Sequence, residues 1–269
     1  MAVSAEFNDL IEVIEHWANH RGNEKAFTFL DTVGAEVESL SYADLVQRAK
    51  VGAKELSAVG LKPGDKALLV YPAGLEFVVS LFACMYAGVV GAPIMFPKNA
   101  RNRFTLIDAA NKIGCTYVLT AMRSLSQLEV ACTDFNKGSG LSLHAIEGLS
   151  SAGEYTALTG VARDDAFIQF TSGSTRTPKA LVVSNRSCLY NLKMVQAVSN
   201  NDNGTVFVSW VPHYHDLGLV ATILHAIFCG GLCVLLAPES VVVRPEVCVK
   251  SSTSYRAQLT GSPEFGLRL

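Results

Sequence analysis

No run of the form G-x-x-x-x-G-K-[ST] occurs in the 269 residues, which removes the main support for a kinase or GTPase. No G-x-S-x-G occurs either, so the nucleophile elbow of the serine hydrolases is missing. Basic residues are not in excess: 22 Lys and Arg stand against 24 Asp and Glu, a formal charge of −2. Nucleic-acid-binding surfaces usually show the opposite balance, and no nucleic-acid partner is expected. The seven cysteines are scattered, odd in number and without a C-x-x-C pair. Cys229 and Cys233 stand four apart in an apolar GGLC context and read as buried thiols, not metal ligands. Such thiols suit a reducing cytoplasm. The opening MAVSAEFNDLIEV carries acids and no basic stretch, so no signal peptide is evident.

Charge is also missing from Phe77–Phe96 and Leu217–Pro238, each about 20 residues and long enough to cross a bilayer. Both runs break halfway, the first at Gly88, Gly91 and Pro93, the second at Gly230 and Gly231. A helix of about ten to fourteen residues followed by a buried strand explains each better. Parallel sheets covered on both faces produce such runs, and no membrane span is expected.

What is present is a regular alternation. Residues 7–20 place Phe7, Leu10, Ile11, Ile14 and Trp17 on one helical face. AFTFL and VESL, joined by DTVGAE, read as a hairpin. Ser41 is a candidate cap for a helix over 42–59, with Asp44 as capping-box partner and Leu45, Ala49, Ala53 and Leu56 as the apolar stripe. Strands at 66–71, 90–95 and 116–120 then alternate with helices at 75–87, 102–113 and 122–131. A polar, Gly/Ser-rich passage covers 136–164. After it, strands at 166–171, 205–209, 232–236 and 256–260 alternate with helices at 186–198, 215–228 and 245–251. The pattern predicts an α/β fold of mostly parallel sheets flanked by helices. The polar passage suggests subdomains at 1–150 and 151–269.

The chemistry concentrates in TSGSTRTPKA, residues 171–180. Thr171, Ser172, Ser174 and Thr175 crowd around Gly173, and Pro178 and Lys179 follow. Apolar β-prone segments flank them, AFIQF before and ALVVS after, so a strand, a small-residue loop and a second strand are expected. Backbone N–H groups and hydroxyls in such a loop suit an anion, and Lys179 adds a point charge. Phosphate is the natural ligand; a plain Ser/Thr-rich turn is the alternative.

This loop resembles the phosphate-binding signature of the adenylate-forming superfamily, roughly TSG(S/T)TGxPKG. It departs at Arg176 and Ala180, where glycine is usual. A second signature, SWVPHYHDLGLV at 209–220, is similar to the W-x-P-x-Y-H-D-x-G-L pattern of fatty acyl-AMP ligases. The segments 61–94 and 255–269 also look like the family's, so the resemblance spans nearly the whole chain.

The resemblance implies ATP-dependent activation of a fatty acid to an acyl-adenylate, with Mg²⁺, and transfer to an acyl carrier protein. Thr171, Ser172, Gly173, Ser174, Thr175 and Lys179 would grip phosphates, with Thr175 nearest the metal. His215 would sit at the acyl-carboxylate junction, beside Asp216, Trp210 and Tyr214. It would shape the site and not act as a base, since a carboxylate is already ionised at neutral pH. The bland alternative is that residues 213–216 merely cap a helix, where Asp216 suits the dipole. The resemblance also implies that the chain is an N-terminal piece. The adenine and ribose contacts and a C-terminal catalytic-lysine domain would be absent, and the piece would be inactive alone.

Three alternatives stand beside this reading. The acceptor would be CoA in a fatty acyl-CoA ligase. Arg176 and Ala180 motivate a degenerate, non-catalytic binding module. A Ser-His-Asp hydrolase needs an Asp behind the His, on the ring nitrogen away from Ser, and adjacent residues such as His215 and Asp216 seldom arrange so.

Overall fold

The computed structural model describes residues 6–97, 100–131, 140–149, 164–171 and 179–267. The chain opens with α1 (Leu10–Arg21), β1 (Lys25–Leu30), β2 (Glu36–Ser41) and α2 (Tyr42–Ala58). Next come β3 (Lys66–Leu69), α3 (Glu76–Ala87), β4 (Val90–Pro93), α4 (Ala100–Ile113), β5 (Tyr117–Thr120), α5 (Leu125–Ala131) and β6 (Ser142–Ala145). β7 (Asp165–Thr171), β8 (Lys179–Ser184), α6 (Asn185–Ser199) and β9 (Val206–Ser209) follow. The described part closes with α7 (Asp216–Gly218), a π-helical stretch Leu219–Leu224, α8 (His225–Cys229), β10 (Leu232–Leu236), α9 (Pro238–Val243), α10 (Glu246–Ser254) and β11 (Leu259–Gly261).

Two compact units result. The first holds residues up to Val46, Ala73–Leu75, and those from Asn185 on; the second holds Gln47–Pro72 and Glu76–Ser184. These are not the segments 1–150 and 151–269. Backbone pairing overrides chain order: β1 joins the late strand β10 in parallel register, Phe27 opposite Cys233, while β7 joins the early strand β4.

The sheet of the first unit runs β11-β9-β10-β1-β2, parallel throughout except for the β1–β2 hairpin. Its core includes Leu30, Val208, Val234, Leu236, Val241 and Val247. The sheet of the second unit runs β6-β5-β3-β4-β7-β8, parallel except for β7–β8. Its core includes Leu68, Val70, Ala92, Leu106, Val118 and Ile168. Both uncharged runs resolve into a helix and a strand. Every residue of α3 from Phe77 to Ala87 is buried, and α3 gives way to β4. In the second run Gly230, at φ 76°, caps α8 before β10. A side chain at Gly230 would strike the Trp17 ring, so the left-handed turn and the close approach both demand glycine. No helix among the described residues is long and apolar enough to cross a membrane.

The capping box forms as the sequence predicts. Asp44 N–H donates to Ser41 Oγ at 3.1 Å, and Asp44 Oδ2 accepts from Ser41 N–H at 3.1 Å. Two elements inside expected irregular stretches were not anticipated. β6 pairs in parallel with β5, Tyr117 opposite Ser142, and α9 opens with Pro238 at its first turn. The segment after β6 is held from outside: Glu55 accepts backbone N–H groups of Glu147, Gly148 and Leu149 at 3.1, 2.9 and 3.2 Å.

Candidate functional site

Thr171 ends β7 and Lys179 begins β8, and the two are cross-strand partners in an antiparallel ladder that continues through Phe170–Ala180 and Gln169–Leu181. The strand-loop-strand reading therefore holds for the two strands. Ser172, Gly173, Ser174 and Thr175, with Arg176 and Pro178, lie outside the described residues. At the mouth of the hairpin Thr171 is half-buried and Lys179 exposed, so the ammonium is open to an anionic partner.

The second candidate stretch belongs to the first unit. β9 ends at Ser209, and the chain turns through Trp210–Tyr214 into α7. Trp210 is a core residue, 4 % exposed, and meets Phe265 edge-on at 5.9 Å. Tyr214 is half-buried, its ring edge-on to His213 at 5.6 Å. Gly218 has ordinary helical φ, but a Cβ there would collide with the Pro212 carbonyl oxygen. The glycine of the YHDLGL run thus lets α7 lie against the backbone of the turn before it.

His215 and Asp216 form a close pair, Nδ1 to Oδ1 2.6 Å, both side chains exposed. Adjacent residues seldom set a carboxylate on an imidazole nitrogen, and this pair does so; the hydrolase geometry itself involves Ser172 or Ser174, which lie outside the described residues. The extended backbone of His215, φ −94° and ψ 144°, turns its ring toward the first residue of the helix. Leu217 N–H lies 3.3 Å from His215 Nδ1 but 2.7 Å from Asp216 Oδ1. The shorter contact claims the amide proton. Nδ1 then keeps its own proton for the carboxylate, and Nε2 becomes the ring's acceptor nitrogen. Asp216 also stands in the first turn, as the capping alternative expected.

Two features here were not anticipated. Leu219–Leu224 is π-helical where an uninterrupted helix was expected, and Thr222 Oγ1 donates to the Leu217 carbonyl five residues back at 3.0 Å. Such insertions are frequent at functional sites. His213, two residues before the exposed His215, has an enclosed Nε2, and burial pushes its imidazole down to about 4 despite the nearby Glu239. The position of His213 just after the buried Trp210 and Val211 was the one available signal. The six described cysteines are all unbridged; burial pushes the Cys229 thiol up to about 12 and shifts Cys233 the same way.

The JamA medium-chain-fatty-acid–[acyl-carrier-protein] ligase of Moorena producens is 30% identical over 279 residues, covering 97% of this chain and 45% of that protein. The long-chain-fatty-acid–AMP ligase FadD26 of Mycobacterium marinum is 28% identical over 269 residues, covering 96% and 46%. A solved fatty acyl-adenylate ligase from L. pneumophila, in complex with acyl adenylate and pyrophosphate, superposes with a TM-score of 0.85 at 30% identity, covering 97% and 45%. The chain spans about half the length of the curated relatives it matches. The profile of the AMP-binding enzymes matches residues 14–266, and the chain belongs to that family.

Proposed function

We propose that this chain carries the phosphate-gripping and acyl-facing part of an enzyme that activates a fatty acid with ATP and passes the acyl group to an acyl carrier protein. One observation carries the reading. Thr171 and Lys179, which bound the hydroxyl-rich sequence, are cross-strand partners at the ends of β7 and β8, in a family member whose relatives bear fatty-acid–AMP and carrier-protein ligase names. In the reaction a carboxylate oxygen bonds to the α-phosphorus, the bond from that phosphorus to the bridging oxygen breaks, and pyrophosphate leaves with the electron pair. The fatty acid is already ionised, so no base is required. The protein's contribution is position and electrostatics.

In this reading Thr171, Ser172, Gly173, Ser174, Thr175 and Lys179 hold the β- and γ-phosphates. The segment contains hydroxyls and one ammonium but no carboxylate. That donor set fits a Mg²⁺ held chiefly by phosphate oxygens, with Thr175 as the protein's oxygen, since Mg²⁺ takes oxygen ligands and keeps waters. His215, oriented by Asp216, borders the carboxylate, and Trp210 and Tyr214 form wall. The buried, unbridged thiols support a reducing cytoplasmic setting.

The test is fatty-acid-dependent ATP–pyrophosphate exchange, run on the chain alone and on a fusion in which it replaces the matching part of the Moorena ligase. Exchange by the fusion and none by the chain alone is expected. Absence of exchange in a folded fusion, beside an active parent ligase, would sink the reading.

A further inference from the structure

The first helix carries two histidines one turn apart, remote in sequence from 171–179 and 210–216. We propose that His16 and His20 of α1 form a two-imidazole chelate for a divalent transition metal ion of the Cu²⁺, Ni²⁺ and Zn²⁺ class. The spacing i, i+4 sets both side chains on one face. Their ring centroids are 4.3 Å apart, with planes 31° from one another. His20 Nδ1 lies 2.7 Å from the His16 carbonyl oxygen. A carbonyl can only accept, so Nδ1 carries the proton and Nε2 the lone pair. Metal-ligating histidines usually donate their second N–H to such an oxygen, which fixes tautomer and ring direction.

His16 is held from two sides. Phe7 meets its ring edge-on at 5.4 Å and Trp17 at 4.9 Å, which limits its rotation. Two nitrogens each about 2.0–2.1 Å from a metal stand about 3–4 Å apart, within reach of rings at this separation after small side-chain rotations. The adjoining cation does not oppose this: Arg21 is engaged by the Glu24 carboxylate and by the carbonyls of Asn203 and Gly230. Glu12, one turn before His16, adds a negative charge on the same stripe while accepting from Asn8.

Imidazole donors select Cu²⁺, Ni²⁺ and Zn²⁺ over Mg²⁺ and Ca²⁺, with Cu²⁺ tightest. Among the described residues no group of three or more His, Cys, Asp or Glu is placed to hold a metal. The ion therefore takes two protein ligands, and water completes its shell.

The experiment is calorimetric titration of the reduced chain with Ni²⁺ and with Cu²⁺ at neutral pH, beside thermal melts with and without the metal. One saturable site and a raised Tm are expected, because an ion bound only by the folded form stabilises it. H20Q and H16Q should each weaken binding about tenfold or more, since one of two protein ligands is lost. H215Q should leave the affinity unchanged, and excess Mg²⁺ should not displace Ni²⁺. His20 is exposed, so H20Q alone decides the matter if H16Q disturbs the packing against Trp17. Equal affinity in H20Q and the unmodified chain, or no saturable site in the unmodified chain, overturns the proposal.

Discussion

His215 Nδ1 lies 2.6 Å from Oδ1 of Asp216, the next residue in the chain. A carboxylate at this distance selects one tautomer of the ring and leaves Nε2 to accept. Nitrogen-15 spectra of the imidazole should show a proton on Nδ1 and a lone pair on Nε2. Asp216→Asn keeps an oxygen for Nδ1–H, whereas Asp216→Ala removes it. Exchange by the fusion enzyme should fall more in the alanine variant. Both side chains are exposed, so melts should change by no more than about 0.5 kcal/mol. Equal exchange in the two variants would leave Asp216 a helix cap only.

Lys179→Ala and Thr175→Ala should each slow exchange by roughly 10²–10³, the usual loss when one transition-state contact to developing charge is removed. For the exposed Lys179, stability should stay within about 0.5 kcal/mol. Unchanged exchange in both variants would take the hairpin loop out of the mechanism.

Gly218→Ala places a methyl group against the Pro212 carbonyl oxygen. Backbone cannot retreat as a flexible side chain does, so a loss of about 1–3 kcal/mol is expected. Chemical denaturation monitored by the fluorescence of Trp17 and Trp210 reads it. A neutral result would mean that the turn and α7 can separate without loss.

His213 supplies a pH dependence. Its imidazole titrates at about 4 in the folded chain against 6.5 when free. The folded state thus binds fewer protons than the unfolded one between these values. The associated stability is present above about pH 6.5 and is lost as pH falls toward and through 4, on the order of 3 kcal/mol at full protonation. His213→Gln should flatten stability against pH in that window. A slope equal to that of the unmodified chain would assign the titration elsewhere.

The sequence made the alternation legible because α3 with β4, and α8 with β10, are bounded by glycines that local geometry requires. It left β6 hidden. SLHA has weak alternation and sits in a polar passage, and what fixes it is remote: pairing with β5 and the grip of Glu55 on the backbone just beyond. α9 escaped for the opposite reason. Its Val-rich PESVVV favours strand by propensity, yet Pro238 at the start and packing of Val241 into the core make it a helix. In the candidate site, residue types and order were readable from the motif. The His215–Asp216 contact was not, because it depends on one extended residue ahead of the helix.

The parallel ladder between β1 and β10 bears on how the chain is made. Phe27 must wait for Cys233, roughly 200 residues later, before that ladder can form. At about 5–20 residues per second of synthesis, this leaves the β1–β2 hairpin on the ribosome for about 10–40 s with the buried side chains of Ala26, Phe27 and Leu30 uncovered. The second unit has no such delay, since its β7–β8 hairpin closes the sheet by Ser184. The second unit is therefore expected to complete its sheet before the first. Chaperone demand should fall on β1 and β2, where a strand edge and an apolar face stay open until residues 232–236 emerge.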